Sequence, residues 1–192
     1  YCASFTPPHS GLYWYWFTFD TADGPRFCAR GYGGRSEVLD SMGDRYQLTV
    51  YDPAYQPPRW FGEGITYNIF PDRFCRDREP VQPEGEGIAP RVLHENWDDL
   101  PVYRPDEHGE ILNNDFFGGT LRGVMEKLDY LESLHVQTIY FNPIFQAYSN
   151  HRYDTGDYKR IDPLLGSEED FKTLCEQAKK RGMRVVLDGV FN

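Results

Sequence analysis

The sequence lacks any apolar run long enough to cross a bilayer, which takes about 18 or more residues. It therefore predicts no contact with a membrane. Basic residues are also scarce, with 20 Lys and Arg against 30 Asp and Glu and a net charge of −10. A surface of this sign repels a phosphate backbone, so we expect no nucleic-acid partner. An uncharged polymer is compatible with the same surface.

Cysteines are few, and no two of them have the CxxC spacing of a zinc ribbon or a thioredoxin-type motif. We expect the four residues, Cys2, Cys28, Cys75 and Cys175, to be reduced thiols. A Cys2–Cys28 disulfide is the alternative that the sequence leaves open. No GxGxxG motif follows a predicted strand, which argues against a dinucleotide-binding fold.

Aromatic residues are abundant, at 16% of the chain, and they concentrate in a β-rich first segment. Residues 12–19 (LYWYWFTF) are apolar on both faces, which predicts a strand buried on both sides. Core packing is favoured there over a sugar-binding platform. Residues 46–51 predict a second strand, and the rigid pair Pro57 and Pro58 marks a boundary. We interpret residues 1–57 as a partial antiparallel β-sandwich.

From residue 58 onwards, apolar strands alternate with helices. Strands are predicted at 65–70, 136–141 and 183–187. One helix follows the N-cap Thr120, with a buried stripe that runs to Leu134, and a second follows Ser167 and ends at Gly182. This order is typical of a parallel sheet with right-handed crossovers. Long polar loops follow the strands, which favours a barrel over the alternative, a doubly wound sheet.

Six segments in this region occur together in a recognisable order. They are ITYNIFPDRF (65–74), DFFGG (115–119), LDYLESLHVQTIYFNPIF (128–145), SNHRYDTGDY (149–158), IDPLLG (161–166) and DGVFN (188–192). Together they resemble the first third of the catalytic barrel in the α-amylase family, closest to its neopullulanase, cyclomaltodextrinase and amylopullulanase branch. The resemblance covers roughly residues 58–192 and implies an α/β fold. The chain would then hold about three strands of a (β/α)8 TIM barrel, preceded by the partial sandwich.

The resemblance implies a retaining glycosidase acting on α-1,4 glucosidic bonds of starch, maltodextrin or pullulan, with α-1,6 bonds left open. In the family, the nucleophile, the acid/base and a third carboxylate follow barrel strands four, five and seven. This chain reaches strand three, so no catalytic residue is assigned in it. We expect a piece of a longer protein, because the chain begins at Tyr1 rather than Met and stops just after a strand. By itself this piece should be inactive, because the nucleophile, the acid/base and the rest of the barrel are absent from it. The alternative is a non-catalytic, carbohydrate-binding relative.

The resemblance implies a substrate-binding role for three residues. Tyr153 matches the tyrosine that stacks on the sugar ring beside the scissile bond, His151 a polar site residue, and Asp188 the aspartate of the first family motif. Asn192 matches the asparagine of that motif. Without the resemblance, Tyr153 would be read as a packed aromatic, His151 as a solvated loop residue and Asp188 as a loop or helix-cap residue.

The acidic residues after the first barrel strand raise the question of a metal. Relatives often bind calcium with an Asn/Asp-rich loop and the aspartate of a GGD triplet, and calcium favours about six to eight oxygen ligands. Here the triplet ends in Thr120 and arginines interrupt the loop, so we predict no cofactor or metal; a residual site at Asp77 and Glu79 is the alternative. We read Asp72 and Arg73 as an ion pair that holds the loop. Open strand edges predict a homodimer or a marginally stable isolated chain.

Overall fold

The structure is a computed structural model that describes residues 2, 4–85 and 90–191. The chain divides into two compact units, Tyr1–Pro58 and Arg59–Asn192, which are considered separately below. The domain boundary predicted after residue 57 lies one residue before this division. Within the described ranges, no helix has the length and apolar character needed to span a bilayer.

The first unit is built from short antiparallel strands. They are β1 Gly11–Tyr15, β2 Phe17–Thr21, β3 Gly24–Arg30, β4 Ser36–Leu39 and β5 Tyr46–Val50. Strand β1 pairs with β5, and β2, β3 and β4 form a separate meander. A short 3-10 turn, Tyr32–Gly34, links β3 to β4.

The expectation of one aromatic strand buried on both faces is wrong. The strand is interrupted at Trp16, where the chain passes from the β1–β5 pair to the β2–β3–β4 meander. The aromatic side chains are largely exposed, Trp14 at 51% and Phe17 at 55%. Neighbouring rings pack on one another within the layer, as Tyr15 and Tyr46 do at 5.2 Å between centroids, and the described strands of the first unit supply no second layer to cover them.

The second unit alternates strands and helices as predicted. Its strands are β6 Ile65–Ile69, β7 Val92–Leu93, β8 Asp115–Phe116, β9 Val136–Phe141, β10 Phe145–Ala147, β11 Thr155–Ile161 and β12 Arg184–Leu187. Its helices are α1 Leu121–Glu126, α2 Leu128–Ser133 and α3 Glu168–Lys180, and a 3-10 turn covers Pro71–Arg73. Strands β12, β9 and β6 form a parallel sheet in that order. The three predicted barrel strands are confirmed.

The crossover helices bury one face against this sheet. Helices α1 and α2 lie between β6 and β9 in the chain, and α3 lies between β9 and β12. The apolar stripe on each helix packs on the alternating apolar side chains of the strands. The fully buried members of this core include Leu121, Val124, Leu128, Leu131, Ile139, Phe141, Leu165 and Leu174.

The predicted helix starts are confirmed by their hydrogen bonds. The Thr120 side-chain oxygen accepts from the Gly123 N–H at 2.9 Å, which caps α1. Ser167 and Asp170 form a reciprocal capping box at the start of α3. Gly182 has φ of 74° just after α3, as expected for the residue that ends a helix in the left-handed region.

The single helix predicted after Thr120 is in fact two short helices. Lys127 leaves the helical region, and its N–H bonds to the Val124 carbonyl at 3.0 Å, a tighter turn that reaches back three residues. Leu134, which we expected in the buried stripe, follows the end of α2 and is 39% exposed. All four cysteines are free thiols, so the Cys2–Cys28 bridge does not form.

Candidate functional site

Two polar residues follow adjacent strands of the parallel sheet. Asn142 comes directly after β9 and Asp188 directly after β12. Their backbones continue the ladder, because the Asp188 N–H donates to the Phe141 carbonyl at 3.0 Å and the Asn142 N–H donates to the Ile69 carbonyl at 3.0 Å. The carboxyl ends of neighbouring parallel strands meet at one edge of the sheet, which is where sites form in such folds.

Tyr153 reaches this edge from the loop between β10 and β11. Its hydroxyl donates to Asp188 Oδ2 at 2.7 Å and accepts from Asn142 Nδ2 at 3.0 Å. The hydrogen bond to the Asp188 carboxylate raises the pKa of Tyr153 above its ordinary value, which keeps the phenol protonated. The side chain is nevertheless 44% exposed. The ring is therefore held at its hydroxyl end and open to a ligand elsewhere.

His151 is oriented by the same loop. Its Nδ1 accepts the Tyr153 backbone N–H at 3.1 Å and lies 3.0 Å from Ser149 Oγ. The Ser149 hydroxyl donates to Asp154, and the Ser149 N–H donates to the same carboxylate at 3.0 Å. Burial acts to raise the pKa of Asp154, but these bonds outweigh it and lower the pKa. With Nδ1 as an acceptor, the neutral ring carries its proton on Nε2.

The structure brings two of the three predicted site residues into direct contact. Tyr153 and Asp188 are hydrogen-bonded, and the His151 ring lies 5.8 Å from the Tyr153 ring between centroids. The fourth residue of the motif match, Asn192, lies outside the described residues. Sequence reasoning missed Asn142, although an amide directly after a buried strand was a usable signal.

A buried carboxylate connects the loop of this site to the long segment after β6. Asp115 accepts from His94 Nε2, the Val102 N–H and Asn150 Nδ2, each at 3.0 Å. Burial acts to raise the pKa of Asp115, yet the hydrogen bonds from the Val102 N–H and from His94, together with the nearby Arg73, lower it overall. Asp115 therefore stays ionised and joins the long segment after β6 to the loop that carries His151 and Tyr153.

The predicted ion pair between Asp72 and Arg73 is wrong. Asp72 is fully buried and accepts the backbone N–H groups of Phe117 at 3.0 Å and Gly118 at 3.1 Å. Burial raises the pKa of Asp72. Arg73 turns instead towards Asp115 at 3.7 Å, with its guanidinium 5.2 Å from the Phe117 ring centroid. The Asp72 carboxylate is therefore hydrogen-bonded by two backbone N–H groups rather than by the neighbouring Arg73 guanidinium.

The glycine pair next to Asp72 is required by close backbone approach. A Cβ on Gly119 would lie 2.1 Å from the Pro71 carbonyl oxygen. Gly118 has φ of 77°, in the left-handed region that glycine adopts without strain. The DFFGG segment is therefore a packing element that seats the loop after β6 against the start of α1.

The acidic side chains near the suspected calcium position are engaged with other groups of the protein. Asp77 accepts the Thr120 hydroxyl at 2.6 Å and lies 3.5 Å from Arg78. Glu79 pairs with Arg76 at 3.3 Å. In the part of the chain that the structure describes, no cluster of three or more His, Cys, Asp or Glu could hold a metal. Two guanidinium groups lie beside these carboxylates, whereas calcium needs further oxygen ligands there, so this donor set fits calcium poorly.

Parallel strands linked by helices, with polar groups at their carboxyl ends, define a protein of the α/β class, to which (β/α)8 barrels belong. Comparison with known families identifies it further. Residues 68–192 match the family described as the alpha amylase catalytic domain. The chain therefore belongs to the α-amylase family, as the six sequence segments indicated, and the second unit is part of its TIM barrel.

The chain is similar to several curated relatives and solved structures. It is 42% identical to an amylopullulanase of Thermoanaerobacter thermohydrosulfuricus over 92% of this chain and 13% of that protein. It is 46% identical to an intracellular maltogenic amylase of Bacillus subtilis over 72% of this chain and 21% of that protein. The type III pullulan hydrolase from Thermococcus kodakarensis superposes with a TM-score of 0.57 at 32% identity, over 86% of this chain and 30% of that one. The chain thus spans less than a third of each of these relatives.

Proposed function

We propose that the protein to which this chain belongs hydrolyses α-1,4 glucosidic bonds of starch-derived glucans with retention of configuration, and that α-1,6 bonds are a second target. One observation carries the proposal: Tyr153, Asp188 and Asn142 meet at the carboxyl ends of β9 and β12, inside the region that matches the α-amylase catalytic domain. Relatives described as an amylopullulanase, a maltogenic amylase and a pullulan hydrolase support the class of substrate.

Each group at this edge has a chemical task in binding a sugar. The exposed ring of Tyr153 offers a flat apolar face to the C–H face of a pyranose. The Asp188 carboxylate and the Asn142 amide can exchange hydrogen bonds with hydroxyl groups of the same sugar. The Nε2–H of His151 is a further donor, on a ring that lies 5.8 Å from the Tyr153 ring between centroids. No metal is required for any of these contacts.

The chemical step belongs to carboxylates outside these 192 residues. A retaining glycosidase uses one carboxylate as nucleophile and a second as acid and then base, about 5–5.5 Å apart. The parallel sheet here contains β6, β9 and β12, which correspond to barrel strands one to three. We therefore assign this chain a substrate-binding role and expect it to be inactive alone.

The test is reducing-sugar release from soluble starch and from pullulan by the longer protein, with the 192-residue chain as the matched control. Release by the longer protein alone is the expected result, and the ratio of the two substrates separates amylase-like from pullulanase-like specificity. Binding without release would identify a non-catalytic carbohydrate-binding relative. The absence of both binding and release would also contradict the proposal.

A further inference from the structure

Arg152 lies between His151 and Tyr153 in the chain but faces the opposite way. Its side chain is only 1% exposed, whereas Tyr153 is 44% exposed. It is the largest of the fully buried side chains in the described part of the protein. A charged side chain is buried to this extent only where it is paired and hydrogen-bonded.

The guanidinium of Arg152 is held by a cluster of buried groups. It donates to the Asn150 carbonyl at 2.9 Å and to Asp162 Oδ1 at 3.3 Å, and it lies 5.4 Å from the Phe116 ring centroid. Asp162 is fully buried as well and accepts two 2.7 Å bonds from Arg91. The cluster thus anchors Arg152 to segments on both sides of it in the chain.

The backbone at Arg152 has an unusual conformation that this anchor stabilises. Its φ is 60°, in the left-handed region that a residue with a Cβ rarely adopts. The Arg152 N–H donates to Ser149 Oγ at 3.0 Å, and the Thr155 hydroxyl donates to the Arg152 carbonyl at 2.9 Å. Strained backbone of this kind persists only where surrounding contacts determine it. The left-handed turn directs Arg152 inward and leaves Tyr153 on the site side.

We propose that Arg152 is a positioning residue: its buried guanidinium holds the left-handed turn that presents the Tyr153 ring to the sugar and the Tyr153 hydroxyl to Asp188. The guanidinium hydrogen bonds of Arg152 go to the Asn150 carbonyl and to Asp162 rather than to Asp188 or Asn142, so its effect on substrate is transmitted through Tyr153. The inference rests on the proposed function, because it concerns how the same site binds a glucan. It adds a residue that lies outside the contact surface.

A double-mutant cycle in the longer protein tests this route of action. The variants are Arg152→Met, Tyr153→Ala and the two together, assayed for kcat and KM on soluble starch. We expect Arg152→Met to lower kcat/KM about tenfold when Tyr153 is present and less than about twofold when Tyr153 is already alanine. A purely structural role would lower activity equally in both backgrounds, and that additive result would overturn the proposal.

A matched control and a milder variant complete the experiment. Arg160→Met removes a 65% exposed arginine from β11 and is expected to leave kcat/KM unchanged. Arg152→Lys keeps the charge but loses the planar fork, so a loss of about threefold that again disappears in the Tyr153→Ala background is expected. This variant repeats the cycle if Arg152→Met does not fold. Absence of activity in the unsubstituted protein would instead refute the proposed function, so the two failures are distinguishable.

Discussion

The Tyr153 hydroxyl donates to Asp188 Oδ2 at 2.7 Å, a contact between residues 35 positions apart in the chain. It joins the loop that follows β10 to the carboxyl end of β12. Asn142 completes the arrangement by donating to the same hydroxyl at 3.0 Å. The tyrosine is therefore fixed from two neighbouring strands while its ring remains exposed.

Removal of this hydroxyl is the most direct test of the site. Tyr153→Phe keeps the ring but deletes the bonds to Asp188 and Asn142. A hydrogen bond to a partly solvated charged group contributes about 1–1.5 kcal/mol, so we expect kcat/KM of the longer protein on starch to fall about five- to tenfold. Steady-state kinetics measure the change. Tyr148→Phe, at a tyrosine that is 47% exposed in the same loop, serves as the control; an equal loss in both variants would rule out a special role for the Tyr153 hydroxyl.

The buried Asp162 is predicted to carry a large share of the loop's stability. Asp162→Asn removes the negative charge that faces Arg91 and Arg152, which leaves buried cations unbalanced. Breaking a buried pair in this way typically destabilises a protein by about 3–5 kcal/mol. Urea unfolding of the longer protein at neutral pH would measure the loss. Asp129→Asn, at a carboxylate that is 83% exposed and paired with Arg181, is expected to change stability by less than about 1 kcal/mol.

The Asp162→Asn substitution is also predicted to change how the stability of the protein depends on pH. Burial acts to raise the pKa of Asp162, but the two guanidinium groups outweigh it and hold the pKa below its ordinary value. A carboxyl with a lowered folded-state pKa adds stability above its unfolded-state pKa of about 3.9, and that stability is lost as the pH falls through the folded-state value. We expect the unfolding free energy of the Asp162→Asn variant to depend less on pH below about pH 4 than that of the unsubstituted protein. Parallel curves for the two proteins would show that this prediction is wrong.

Gly119 and Gly156 allow a test of close backbone packing. A Cβ at Gly119 would meet the Pro71 carbonyl oxygen at 2.1 Å, whereas a Cβ at Gly156 would have its nearest neighbour, the Gln146 carbonyl oxygen, at 3.6 Å. We expect Gly119→Ala to destabilise the protein by at least about 3 kcal/mol and Gly156→Ala to shift it by less than about 1 kcal/mol. Thermal unfolding of the two variants gives the comparison. Similar midpoints would mean that the Gly119 backbone can relax.

Whether the segment after β6 contributes to calcium binding can be tested directly. Asp77 is engaged by the Thr120 hydroxyl, so we predict that this carboxylate contributes nothing to metal binding. Thermal unfolding of the longer protein with calcium and with a chelator, before and after Asp77→Asn, provides the measurement. The difference between the two conditions should be the same in both proteins. A calcium-dependent midpoint that disappears in the Asp77→Asn protein would contradict the prediction.

Local patterns in the sequence predicted the local structure well. The cap at Thr120, the capping box at Ser167 and the apolar strands β6, β9 and β12 are set by residues within a few positions of one another. Such features can be read directly because their partners lie within one or two turns of chain.

Features that depend on distant partners were not predictable in this way. Asp72 looked like the partner of Arg73 because the two are adjacent, yet its donors are the N–H groups of Phe117 and Gly118, 45 and 46 positions away. No local signal in the sequence marked Arg152, whose partner Asp162 also binds Arg91. The prediction that the aromatic strand of the first unit is buried on both faces was wrong for a related reason. Composition indicates that a face is apolar, but it does not indicate whether another layer covers that face.

Buried charges link the loops that follow β6 and β9. Arg91 and Asp162 are 71 positions apart, and Asp115 and Asn150 are 35 apart, and each pair joins the two loops. Loops on a barrel scaffold are commonly regarded as modules that evolution exchanges one at a time to alter specificity. Here, replacing either loop alone would leave a buried charged or amide group of the other loop without its hydrogen-bond partner. A change in the buried residues of one loop therefore requires a compensating change in the other.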